Sequence, residues 1–123
     1  MIQTGKETRT QTDNITESRL QQLCFSWHWN NKPLERGRLW MQYNNPKNAA
    51  HGAVLKGMGM IPGPSDLAFL QDDGRMLFIE LKLPGRRQSP AQKEWAATVR
   101  ACGADYEIAR SLEEFKNLFR SAI

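Results

Sequence analysis

Cysteine is scarce in this chain of 123 residues, and Cys24 and Cys102 stand apart with no C-x-x-C spacing. That argues against a thiolate zinc framework or a disulfide scaffold. Two isolated cysteines read as small buried residues of a reducing compartment, so a cytoplasmic location is expected. Long apolar runs are also missing. No stretch approaches the ~20 residues that span a bilayer, and no membrane partner is expected. Met1 to Asp13 is polar and threonine-rich and lacks the apolar core of a secretory signal. It reads as a flexible N-terminal segment ahead of a single domain over residues 14–123. The glycine- and proline-rich stretch from Gly57 to Pro64 contains neither G-x-G-x-x-G nor G-K-[ST], which removes a nucleotide-binding P-loop. There is no internal repeat and no low-complexity tract.

What the chain does have is a formal net charge of +4 and a pI near 9.3, a balance that permits a polyanionic partner without demanding one. The basic excess is uneven. Lys82, Arg86, Arg87 and Lys93 cluster around one loop, which suits phosphate contact, although charge alone favours a solvated loop.

The densest chemistry precedes that loop. Gly63-Pro64-Ser65-Asp66-Leu67 leads into one strand, and Leu77-Phe78-Ile79-Glu80-Leu81-Lys82 forms the next. Alternation along a strand puts Glu80 and Lys82 on one face and Leu77, Ile79 and Leu81 on the other. Opposed residues of antiparallel strands share a face, so the turn decides whether Asp66 joins Glu80. A two-residue loop at Asp73-Gly74 sets Asp66 on the wrong side. A three-residue loop, with Gly74 in the left-handed position, pairs Gln71 with Arg75 and brings Asp66 opposite Glu80. The three-residue loop is the expectation. Two carboxylates beside an ammonium group among apolar residues then make a seat for a divalent cation. An all-oxygen donor set favours Mg²⁺ or Mn²⁺ over zinc. An ordinary hairpin carrying a surface Glu80–Lys82 ion pair is the alternative.

Around the hairpin, helical spacing of Leu20, Leu23, Cys24 and Trp27 marks a first helix, with Asn14 and Glu17 at capping-box spacing and Asn30-Asn31-Lys32-Pro33 as its stop. Glu17, one turn in, either caps or leans over the sheet. His28 reads as a surface or cap residue and His51 as a structural histidine. Leu39, Met41 and Tyr43 alternate as a short strand, and Ala49 to Lys56 as a brief helix. Ser89 and Pro90 open a further helix, with Gln92 at capping-box spacing and Gly103 as its stop. Tyr106 and Ile108 mark the last strand, and Ser111 starts the last helix. Trp27, Trp40 and Trp95 read as core. Trp29 is the one aromatic considered for base stacking or a dimer face. A strand–helix–strand crossover beside a central hairpin implies an α/β fold, with a mixed sheet flanked by helices on both faces.

Asn44-Asn45-Pro46-Lys47-Asn48, Leu55-Lys56-Gly57-Met58-Gly59, Pro62-Gly63-Pro64-Ser65-Asp66-Leu67, Phe78-Ile79-Glu80-Leu81-Lys82 and Ser89-Pro90-Ala91-Gln92 occur in this order. Together they resemble the virus-type replication-repair nucleases (VRR-NUC) of the PD-(D/E)xK superfamily, over about Asn44 to Ile108. The resemblance implies a restriction-endonuclease-like fold and Mg²⁺- or Mn²⁺-dependent cleavage of DNA. It further implies a branched, Holliday-junction-like substrate and a homodimer. By position Asp66 and Glu80 would bind the metal with the Leu81 carbonyl, and Lys82 would serve the water. Gln92 would be the motif glutamine of the active site, and Glu17 the acid of the first helix. Arg86, Arg87, Lys56, Lys93 and Ser89 would contact DNA. The family places proline directly before the aspartate; here that place is Ser65, with Pro64 one step earlier. A non-catalytic nucleic-acid-binding module, and a nuclease for flaps, single strands or RNA, are the alternatives.

Overall fold

The computed structural model describes residues 15–42 and 47–120. The elements run α1 (Glu17–Asn31), a short 3-10 turn (Pro33–Glu35), β1 (Leu39–Met41), α2 (Ala49–Gly57), β2 (Leu67–Leu70), β3 (Met76–Leu81), α3 (Pro90–Ala101), β4 (Asp105–Ala109) and α4 (Leu112–Asn117). The strands form one four-stranded sheet in the order β1-β2-β3-β4. β1 with β2, and β2 with β3, are antiparallel. The β3–α3–β4 crossover returns the chain in the direction of β3 and makes the sheet mixed. The fold is α/β with the sheet flanked by helices, as expected. No helix among the described residues is long and apolar enough to cross a membrane.

The chain gathers into two compact units, and β3 and β4 each run from one into the other. One unit holds the chain up to Arg36, Leu81–Arg86 and the chain from Ile108 onward; the other holds Gly37–Glu80 and Arg87–Glu107.

In the first unit, α1 buries Leu20, Cys24 and His28, one residue per turn on one stripe. The aromatic rings of α4 and its C-terminal turn complete that core. Phe115 and Phe119 lie 4.9 Å apart, and the Trp27 ring meets Phe115 edge-on at 6.1 Å. Fully burying a ring of this size contributes about 2–3 kcal/mol.

Three expectations are corrected here. The cap of α1 is Thr16, whose hydroxyl accepts from the Arg19 N–H, and not Asn14, which lies outside the described residues. His28 is not at the surface: it is 1% exposed, with Nε2 2.9 Å from Glu35 Oε1 and its ring 4.9 Å from Phe119. The 3-10 turn after Pro33 folds Glu35 back to meet it, so the imidazole is buried with its polar edge satisfied. Trp40 is not core: β1 is a sheet edge, and Trp40 and Met41 are exposed there. Tyr43, expected to extend that strand, lies outside the described residues.

In the second unit, β2 is apolar on both faces, with Leu67, Ala68 and Phe69 all buried, as a strand inside a covered sheet requires. α3 covers the face that carries Phe78 and Glu80. Trp95 meets Phe78 edge-on at 4.8 Å and Tyr106 at 6.0 Å.

Candidate active site

The hairpin settles the register on which the site depends. Gln71 donates to the Arg75 carbonyl, Gly74 donates to the Gln71 carbonyl, and Gly74 has φ +88°. The loop is therefore the three-residue Asp72-Asp73-Gly74 turn, with glycine at its left-handed position. Leu67 pairs with Ile79 and Ala68 with Phe78. The same register carried one step further sets Asp66 opposite Glu80, on the face covered by α3. The ladder of β1 also reaches this point, because Gln42 donates from its backbone to the Asp66 carbonyl at 2.9 Å.

Ser65, standing where the VRR-NUC pattern has proline, is fully buried. Its hydroxyl donates to the Leu67 carbonyl at 2.9 Å and accepts from Gln42 Nε2 at 3.2 Å. A short side chain bonding its own backbone two residues on restricts the chain much as a ring would. The approach to Asp66 is fixed by hydrogen bonds in place of a pyrrolidine.

Glu80 is 2% exposed. Burying a carboxylate is costly unless its oxygens are satisfied. Its Oε2 accepts from Gln92 Nε2 at 3.0 Å, and its Oε1 accepts from the Tyr106 hydroxyl at 3.2 Å. Gln88 Nε2 in turn donates to the Tyr106 oxygen at 3.0 Å. Burial, and then the negative charges of Glu80 and Asp66, hold the Tyr106 phenol well above its ordinary range; the bond from Gln88 acts the other way. The phenol is accordingly a proton donor to Glu80 across the neutral pH range.

Gln92 carries two bonds from opposite ends of one amide. Its Oε1 accepts from the Ser89 N–H at 2.8 Å while the Ser89 hydroxyl accepts from the Gln92 N–H at 3.1 Å, a complete capping box. Its Nε2 is left for Glu80. Capping and site contact, alternatives in the sequence, coexist in the structure. The loop before β2 reaches the same helix turn: Gly63, at φ +102°, approaches so closely that a Cβ there would lie 2.5 Å from the Ala91 carbonyl oxygen.

In the first unit the backbone after Glu80 is held at several points. Lys82 donates from its backbone to the Ala109 carbonyl at 3.2 Å. Leu83 donates to Glu17 Oε2 at 3.4 Å. Glu17 therefore does lean from α1 onto the segment that follows β3, and Thr16 relieves it of the capping role. Leu83 to Arg86 is a turn closed by the Arg86 N–H on the Leu83 carbonyl at 3.0 Å, with Pro84 second and Gly85 third at φ +86°, the arrangement of a type II turn. Arg110 Nη1 donates to the carbonyls of Leu83 and Arg86 at 3.3 and 2.7 Å.

Of the other expected residues, Arg86, Arg87, Lys56, Lys93 and Ser89 are all exposed. Ser89 is the cap of α3, Lys93 lies in its first turn, and Lys56 lies in the last turn of α2. Trp29 carries the Arg36 guanidinium 4.9 Å over its ring and stacks on Phe25. Trp29 remains 44% exposed. Tyr106, Gln88 and Arg110 are further polar contributors that the sequence pattern does not single out. A tyrosine at a core-facing strand position was the available signal, since a buried hydroxyl must find a partner.

The donor set can be weighed against a metal. Asp66 and Glu80 offer hard oxygens. His28 is engaged with Glu35, and His51 Nδ1 accepts from the Lys47 N–H. No group of three or more His, Cys, Asp or Glu side chains gathers among the described residues. The fit is to an ion content with two carboxylates, completing its shell from carbonyl, water and substrate oxygens. That is the habit of Mg²⁺ and Mn²⁺ and not of zinc.

A mixed sheet whose central hairpin sets two acids opposite each other, under a capped helix, is the framework of a restriction-endonuclease-like domain. Comparison with known families agrees: the family model described as the VRR-NUC domain matches residues 6–113. The chain belongs to the VRR-NUC family and is a nuclease-type domain. A solved structure described as a VRR_NUC domain protein is 22% identical, covers 85% of this chain and 84% of its own, and superposes with a TM-score of 0.69. At that identity it speaks for the fold. No curated protein matches the chain.

Proposed function

We propose that this domain hydrolyses DNA phosphodiester bonds as a Mg²⁺- or Mn²⁺-dependent endodeoxyribonuclease. The observation that carries the reading is a buried Glu80 whose two oxygens are each held by a neutral donor, on a hairpin whose Leu67–Ile79 register, continued one step, would bring Asp66 opposite it. A carboxylate fixed in this way keeps its direction, which a ligand needs.

Asp66 and Glu80 would hold the ion, with the Leu81 carbonyl next along the chain as a third ligand. The ion, when bound, polarises a phosphoryl oxygen and lowers the pKa of a coordinated water. Lys82 orients that water or neutralises charge developing on the phosphate. Gln92 and Tyr106 keep the Glu80 carboxylate aimed. Glu17 fixes the backbone directly after Lys82 through the Leu83 N–H. Arg86, Arg87, Lys56, Lys93 and Ser89 are assigned to the phosphate backbone, where exposed cations and hydroxyls contribute salt-dependent affinity.

Branched DNA is the substrate we favour. Cutting two strands at a junction calls for two active sites, so a homodimer goes with it. The test is a panel of four-way junction, flap, duplex and single-stranded DNA, with Mg²⁺, Mn²⁺ or EDTA, run with wild type, Glu80→Ala and Lys82→Ala. Metal-dependent cutting of the junction by the wild type and its loss in both variants is expected. Cutting that both variants retain would remove the assignment. Metal-independent binding without cutting would make the domain a nucleic-acid-binding module.

A further inference from the structure

We infer that Tyr106, on β4, is a positioning residue for the metal-facing carboxylate of Glu80, with Gln88 setting the direction of its hydroxyl. The inference rests on the proposed metal-dependent reading.

The geometry is a relay of side chains that ends on one oxygen. Gln88 Nε2 donates to the Tyr106 oxygen at 3.0 Å, and the Tyr106 O–H donates to Glu80 Oε1 at 3.2 Å. A phenol that accepts from a fixed amide has its own proton turned away from that amide, here toward Glu80. The tyrosine is itself immobilised. Its ring meets Trp95 edge-on at 6.0 Å, the Arg100 guanidinium lies 5.2 Å over it, and Arg100 Nη2 donates to the Tyr106 carbonyl at 3.0 Å. It is 2% exposed. Gln92 takes the other Glu80 oxygen from α3. The carboxylate is thus gripped by one donor on each oxygen, from two separate elements, which fixes its plane as well as its direction.

A purely structural tyrosine would satisfy itself and leave metal affinity alone. A positioning tyrosine changes how tightly Glu80 holds a cation without changing the fold. Tyr106→Phe removes only the hydroxyl and keeps the ring on Trp95. Mn²⁺ alone, titrated calorimetrically into DNA-free protein, is the probe, and thermal unfolding is the control. Wild type should bind, Glu80→Ala should lose binding, and Tyr106→Phe should bind about tenfold more weakly, the low end for outer-shell partners. Gln88→Ala should weaken binding in the same direction and by less, and it keeps the question answerable if Tyr106→Phe fails to fold. Tyr106→Phe and Gln88→Ala binding Mn²⁺ as wild type does, while Glu80→Ala loses it, overturns the positioning role and leaves the metal site standing. A wild type that binds no Mn²⁺, or a Glu80→Ala variant that binds as wild type, removes the metal reading and this inference with it.

Discussion

Replacing Gly63 by alanine tests how the loop before β2 is held against α3. The site depends on that contact, because the loop delivers Asp66 and the helix turn beneath it carries Gln92. Two costs add. The residue sits at φ +102°, a conformation that penalises an L side chain by about 1–2 kcal/mol. The new Cβ would also lie 2.5 Å from the Ala91 carbonyl oxygen, 2.9 Å from its carbonyl carbon and 3.2 Å from the Trp95 Cβ. These neighbours are backbone or the root of a side chain, so loop and helix must separate, and forced overpacking of this kind costs about 1–3 kcal/mol. The sum is about 2–5 kcal/mol, or very roughly 8–20 °C in Tm for a chain of this size. Gly85→Ala is the matched control, since it has φ +86° with nothing within 4 Å of its Cβ. It should show the backbone cost alone, about 1–2 kcal/mol. Urea unfolding of the two variants measures the difference, and amide exchange should show the first turn of α3 opening in Gly63→Ala only. Equal destabilisation by the two substitutions would refute the close approach.

Gln92→Ala should lower stability by about 2–4 kcal/mol, about 1 kcal/mol through the lost cap and about 1–3 kcal/mol through the buried Glu80 oxygen that loses its donor, read by urea unfolding. Gln92→Glu keeps the acceptor for Ser89 but sets a further carboxylate against Glu80; two such acids share a proton, raising a native-state pKa, so this variant should lose stability relative to wild type as pH rises through that value. His28→Ala empties a site between α1 and Phe119 and should cost about 2–3 kcal/mol by thermal or urea unfolding, a surface-like effect below 0.5 kcal/mol counting against the burial. Burial pushes the Cys24 thiol from 9.0 up to about 12, so the native state keeps a proton that the unfolded chain releases above pH 9. The stability tied to this thiol should be whole below pH 9 and fall between pH 9 and 12, and a thiol reagent at pH 8 should label exposed Cys102 but not Cys24 in the native protein.

The features legible in the sequence are those fixed by short-range rules. The hairpin register follows from parity and a glycine-ended turn, so pairing Gln71 with Arg75 was enough to set Asp66 opposite Glu80. The start of α3 at Ser89-Pro90 and its stop at Gly103 are local signals of the same kind. Elsewhere the local rule had two solutions or none. Asn14 and Glu17 fit a capping box, but Thr16 takes the cap. His28 continues the Leu20–Cys24 stripe, yet its burial is tolerable only because Glu35 returns after the helix has ended. Trp40 alternates as a core residue would, and only the order of strands reveals that β1 is an edge. Tyr106 and Glu80 are 26 positions apart, and no spacing rule connects residues that only the crossover brings together.

The identity of Gln92 follows from having to serve both neighbours. Glutamate at the third helical position would complete the capping box equally well, since the box asks only for an acceptor reaching back to the cap N–H. It would also place a second anion 3.0 Å from a buried carboxylate oxygen, where like charges cannot both ionise cheaply. An alanine would leave both groups unserved. An amide has an acceptor and a donor on one rigid plane: the Ser89 backbone fixes the oxygen, and that constraint points the nitrogen at Glu80. The helix cap is therefore the device that aims the site donor. A residue that looks explained by secondary structure alone is the one whose side chain ties the first turn of α3 to the acid on β3.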